Sequence, residues 1–65
     1  MNYLVTRRTL DRETARPVTV YHAMRFKNGT GQEEWTQSLD LAHRYTREEA
    51  DKIQSWHPGS TIVES

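Results

Sequence analysis

Between Val18 and Phe26 the chain alternates without a break. Val18, Val20, His22, Met24 and Phe26 fall on one side, and Thr19, Tyr21, Ala23 and Arg25 on the other. A period of two suits only an extended strand, whose successive side chains point to opposite faces. The run leads into Lys27-Asn28-Gly29-Thr30. Asn-Gly is the strongest short-range hairpin cue, because a tight turn between twisted strands asks for positive φ at both central residues. A long strand must therefore turn back on itself. The returning strand is expected around Glu33 to Gln37, with Trp35 facing the core. Upstream, Tyr3 to Leu10 is rich in β-branched and aromatic residues and reads as a further strand. The polar stretch Asp11 to Arg16, closed by Pro17, joins these two strands as a turn and is the segment expected to move most.

After Trp35 the period changes. Leu39, Ala42 and His43 stand at i, i+3 and i+4, which predicts a short helical turn over Ser38 to His43. Thr46 then opens a longer helix. Thr46 and Glu49 form a T-x-x-E capping box, in which each side chain satisfies an orphan amide at the helix start. Glu48, Glu49 and Asp51 suit the positive end of the helix dipole. Ala50, Ile53 and Trp56 or His57 supply an apolar stripe, and His57-Pro58-Gly59 ends the helix. Ser60 to Ser65 closes the chain as a short strand. The order β-β-β-short helix-α-β predicts an α+β fold: one domain over residues 1–65, a small and mostly antiparallel sheet, and one main helix packed on one face.

Size limits what such a fold can hold. A chain of 65 residues buries only about 60% of its unfolded surface. Four of its 22 apolar residues are alanine. The core must come from Tyr3, Tyr21, Phe26, Trp35, Tyr45 and Trp56 with a few aliphatics, and both tryptophans are expected inside it. There is no room for a deep substrate cavity beside such a core. The chain has no cysteine, which removes disulfides and thiol chemistry and favours an intracellular setting. No apolar run approaches the roughly 20 residues needed to cross a bilayer, and the N-terminal stretch has no signal-peptide core. A soluble, cytoplasmic protein without membrane contact is expected.

Catalysis and metal binding draw little support from spacing. His22, His43 and His57 are far apart, there is no H-x3-H pair, and no carboxylate stands where it would complete a facial triad with two of them. They read as an exposed or half-buried strand histidine, a helix-surface histidine and a histidine at a helix C-terminus. Asp40 and His43, with Ser38 nearby, could pair on a surface turn, but they would lack the desolvation and orientation that general acid–base chemistry requires. Asn28-Gly29-Thr30-Gly31 lacks the lysine and following helix of a phosphate loop. No catalytic residue, metal ligand or cofactor is assigned, and a non-enzymatic protein is expected.

The charge layout points to binding instead. Net charge is zero, yet residues 1–30 carry six cations against two carboxylates and residues 31–65 carry three against seven, a split of +4 and −4. Such asymmetry can steer an encounter with a charged partner or be satisfied internally. The candidate binding residues are Arg7, Arg8, Arg12, Arg16, Arg25 and Lys27, with Tyr21 as a stacking partner. A basic two-stranded ribbon can enter a nucleic-acid groove, although the acidic second half opposes phosphate binding. The leading expectation is therefore a protein partner, contacted through the charged hairpin or an exposed sheet edge. That edge would also permit a homodimer.

Trp35, Leu39, Ala42, Tyr45, Thr46, Glu48, Glu49 and Ala50, followed by Ile62 to Glu64, form the pattern W-x3-L-x2-A-x2-Y-T-x-E-E-A and a last strand ending Ile-Val-Glu. This pattern covers the C-terminal half and resembles small phage and prophage accessory proteins. The resemblance implies a compact α+β protein in the cytoplasm of a bacterial host. It implies action by binding a host or phage protein, with inhibition of a defence system as one such role. It brings no catalytic residue with it.

Overall fold

The computed structural model describes residues 2–65, with Lys27 described by its backbone alone. It is the expected α+β fold. The strands are β1 (Tyr3–Leu10), β2 (Pro17–Lys27), β3 (Thr30–Thr36) and β4 (Thr61–Glu64), and the helix is α1 (Arg47–Trp56). A 3-10 turn over Leu39–Leu41 stands where the short helical turn was expected. The sheet order is β3-β2-β1-β4 and every neighbouring pair is antiparallel. The third strand begins at Thr30, ahead of the expected Glu33, because the Asn28-Gly29 turn is a two-residue one that pairs Lys27 directly with Thr30. Asn28 and Gly29 take φ of 53° and 77°, as that turn demands. None of the described helices is long and apolar enough to cross a membrane.

Register places the faces. Val5 lies opposite Ile62, and His22 opposite Trp35, so each pair shares a side of the sheet. On that side α1 packs, and Val5, Tyr45, Ala50 and Ile53 form the buried cluster, with Tyr3, Met24, Trp35 and Ile62 against it. The alternation read between Val18 and Phe26 thus put His22 and Met24 on the helix-covered face. Thr46 caps α1 as expected: its hydroxyl accepts from the Glu49 amide at 3.2 Å, and its own amide donates to Glu49 Oε1 at 3.0 Å. The Thr46 partners hold the Glu49 carboxyl below its ordinary pKa.

The link from β3 to α1 crosses the sheet. Leu41 lines a shallow groove with Ala23, Arg25, Glu34 and Thr36, on the face away from the helix. Two residues later the His43 amide donates to the His22 carbonyl at 3.2 Å, and Tyr45 exchanges two 2.8 Å backbone bonds with Tyr3. The β1–β2 ladder ends at Thr6 and Tyr21. The link therefore occupies the opening where those strands diverge, satisfies the backbone groups they leave behind, and delivers Tyr45 to the core. Ala42, 6% exposed, is small enough to pass there.

The distal half of the first hairpin extends past the helix, and Arg7 to Leu10 are exposed. Its turn is closed by hydrogen bonds. The Asp11 amide donates to the Arg16 carbonyl, and the Asp11 carboxylate accepts from the Glu13 amide and the Thr14 hydroxyl. Ala15 takes a φ of 56°, in the region that disfavours a Cβ.

Two expectations are corrected. Phe26 and Trp56 are not core residues: they are 70% and 61% exposed, and His57 takes the inward position at the helix end. His22 is neither exposed nor half-buried but fully enclosed, the largest side chain to be so among the described residues. The reason for the second is that the link and α1 together cover the middle of β2, which no period can foretell.

Candidate functional site

On the helix-covered face, beside the buried cluster, three polar side chains converge from three elements. His22 comes from β2, Glu33 from β3, and His57 from the residue that caps the C-terminus of α1. Glu33 Oε1 stands 3.3 Å from His22 Nε2 and 3.3 Å from His57 Nε2. One ligand-capable atom from each residue lies within 4.8 Å of the other two. Trp35 walls the site, its ring set edge-on to both imidazoles with centroids 5.1 Å from His22 and 5.4 Å from His57. The Arg7 guanidinium lies over the same indole, 4.4 Å from its centroid.

Each member is held locally. His22 Nδ1 and the Tyr45 hydroxyl are 2.5 Å apart. His57 is fixed by the turn that follows it: its amide donates to the carbonyls of Ile53 and Gln54, and its carbonyl accepts from the Ser60 amide and, at 2.7 Å, the Ser60 hydroxyl. Gln54 Nε2 donates to the Ser60 carbonyl at 2.9 Å, and Gly59 takes the positive φ of 96° that lets the chain double back. Glu33 is set by its pairing opposite Met24.

Burial and contact set the charges. Desolvation lowers the His22 pKa, against an opposing pull from Glu33, so the ring is neutral near pH 7. Hydrogen bonding, first from His57, holds the Glu33 carboxyl below its ordinary range. Burial pushes the Tyr45 hydroxyl up to about 12, so it stays protonated. One tautomer of His22 satisfies both contacts by hydrogen bonds alone, and the other does so only with a cation between Nε2 and the Glu33 carboxylate. In one the Tyr45 hydroxyl donates to Nδ1, and Nε2–H donates to Glu33. In the other Nδ1–H donates to the hydroxyl, and the Nε2 lone pair faces Glu33 and His57.

The site opens outward. The side chains of Glu33 and His57 are 39% and 23% exposed, whereas that of His22 is 0%. A two-histidine, one-carboxylate set was not legible in the sequence, because 11 residues separate His22 from Glu33 and 24 separate Glu33 from His57. The one available signal was His22 itself, a polar residue on the apolar side of the alternation.

The residues expected to bind a partner are dispersed. Arg7 lies on the helix-covered face, over Trp35. Arg8, Tyr21 and Arg25 lie on the opposite face by register, and Arg25 Nε is paired with Glu34 at 2.9 Å. Arg12 and Arg16 are exposed in the turn between β1 and β2. Lys27 is placed only by its backbone pairing with Thr30; its side chain lies outside the described residues. His43 is in the link rather than on a helix, with its ring 4.5 Å from that of Tyr45. Ser38 precedes the 3-10 turn without a side-chain cap bond.

A second feature was not foreseen. Phe26 and Trp56, 70% and 61% exposed, flank an open groove of about 310 Å³ between the β2–β3 hairpin and α1. Met24, Ile53 and Tyr45 form its apolar floor, and Glu49 and Lys52 lie along its rim. Comparison with protein-family models, with curated proteins and with solved structures gives no match.

Proposed function

We propose that this protein is a non-enzymatic binding module whose partner is another protein. The observation that carries this reading is the exposure of Phe26 and Trp56 on either side of one apolar groove. Large aromatics left in water at a shared concavity mark interaction surfaces, and tryptophan is prominent among the residues that dominate interface energies. The sheet edges β3 and β4 adjoin no further described strand and offer backbone pairing to the same partner or to a second copy of the chain. The C-terminal pattern resembling phage and prophage accessory proteins makes a host or phage protein the partner class, with inhibition of a defence system as the role it suggests.

A nucleic-acid reading has its own supporting observation: Arg8, Tyr21 and Arg25 share the helix-free face. Salt separates the two readings, because phosphate contacts weaken steeply as ionic strength rises. The test is affinity capture from a bacterial lysate with three baits: the wild type, Phe26→Ser/Trp56→Ser, and Arg8→Glu/Arg12→Glu/Arg16→Glu. A specific protein held by the first and third but not by the second supports the groove. Capture lost only with the arginine variant, and replaced at low salt by duplex or single-stranded nucleic acid, overturns it. Light scattering at high concentration tests the homodimer.

A further inference from the structure

We propose that His22, Glu33 and His57 form a binding site for a divalent first-row transition ion of the zinc class, held by the two Nε2 atoms and the Glu33 carboxylate.

The separations argue for it first. An imidazole N–H donating to an oxygen normally stands about 2.7–3.2 Å from it, most often about 2.9–3.0 Å. Here both contacts stand at 3.3 Å and both end on the same oxygen. Donors about 2.0–2.1 Å from a tetrahedral ion lie about 3.3–3.4 Å from one another. Two of the three edges of the ligand face thus have the length a coordination polyhedron asks for, and the third, between the two Nε2 atoms, lies within 4.8 Å.

The surroundings argue for it second. A ligating histidine nearly always fixes its other ring nitrogen with a partner, which sets the tautomer and the ring orientation. The Tyr45 hydroxyl does this for His22, 2.5 Å from Nδ1, and with Nδ1–H donating to it the Nε2 lone pair points into the site. Trp35 supports both imidazoles edge-on. The ligands are also placed by rigid elements, two paired strands and a hydrogen-bonded helix cap, rather than by free loops.

The donor set selects the ion class. Two imidazoles and one carboxylate suit zinc, cobalt, nickel or ferrous iron, whereas magnesium and calcium prefer oxygen alone. With three protein ligands and an opening at Glu33 and His57, a further position is left to water or to a group from a partner. The ion would join β2, β3 and the end of α1 through a single centre, which adds a cross-link that a core this thin otherwise lacks.

The test uses the tag-free full chain, dialysed against chelator and titrated with Zn²⁺ and with Co²⁺. One ion per chain is expected, with cobalt giving the visible absorption of a four- or five-coordinate centre and zinc raising the melting temperature. His57→Ala and Glu33→Gln, both at partly exposed positions, should each weaken binding at least tenfold while remaining folded by circular dichroism. Tyr45→Phe should weaken it by about tenfold to a hundredfold through loss of the orienting bond, and His43→Ala should leave it unchanged. In the wild type, zinc should shift the ring resonances of His22 and His57 and not those of His43. No saturable binding to the wild type, or equal binding by His57→Ala and Glu33→Gln, overturns the site and leaves a hydrogen-bonded cluster only.

Discussion

Tyr45→Phe isolates what keeps an imidazole in the middle of the fold. Tyr45 is 3% exposed and His22 is 0% exposed, so both partners of their hydrogen bond are cut off from water. Phenylalanine keeps the ring and its packing and deletes one oxygen. The cavity term is then small, and the loss is chiefly that of a buried His22 Nδ1 left without a partner, about 1–3 kcal/mol. A domain of this size has roughly 3–10 kcal/mol of stability in all, and each kcal/mol moves its melting temperature by about 4–8 °C. A drop of roughly 5–20 °C is expected in thermal and urea melts followed by circular dichroism. The measurements are made in chelator so that a bound ion does not contribute. The companion is His22→Leu/Tyr45→Phe, which replaces both polar partners with apolar groups of similar shape. Such a pair is close to neutral when the single change is costly. A Tyr45→Phe protein within about 0.5 kcal/mol of wild type, or a double variant less stable than Tyr45→Phe, would refute the argument that this bond holds His22 inside.

Three further outcomes are expected. Burial lowers the His22 pKa, so below the ordinary histidine value of about 6.5 the unfolded chain binds a proton before the native state does. Stability should therefore fall as pH drops below that value and level off once the native ring also protonates. In urea melts between pH 5 and 7.5 this slope should shrink in His22→Leu, and an unchanged slope would assign it to other groups. Thr46→Ala should cost about 0.5–2 kcal/mol through loss of the capping box, read as a lower urea midpoint with an unchanged m-value. Trp56→Ala should change stability by no more than about 0.5 kcal/mol because its side chain stands in water. Trp35→Ala, by contrast, should cost about 2–3 kcal/mol, less than a fully buried tryptophan would; equal melting temperatures for the two would contradict their placement.

The sequence by itself determined every element whose cause lies within a few residues. Period two between Val18 and Phe26 and the Asn28-Gly29 pair defined β2 and its hairpin, and register then gave the shared face of His22 and Trp35. Thr46 and Glu49 defined the helix start. These are local effects, fixed by backbone sterics and by hydrogen bonds that span three or four residues. Alternation in β1 even required that Arg7 and Arg8 part company, which bears on any reading of the basic residues as one patch. Tertiary structure decided what depends on contacts between distant segments. The link from β3 to α1 passes through the opening between β1 and β2 because unpaired backbone groups there need partners, and that passage encloses His22. The end of α1 turns His57 inward and Trp56 outward, although both fit the helical stripe, because only one of them can meet Trp35 and Glu33. The assembly of His22, Glu33 and His57 exists in no window of the sequence. It arises where a strand, its neighbour and a helix cap meet, and only packing of the helix on the sheet brings them there.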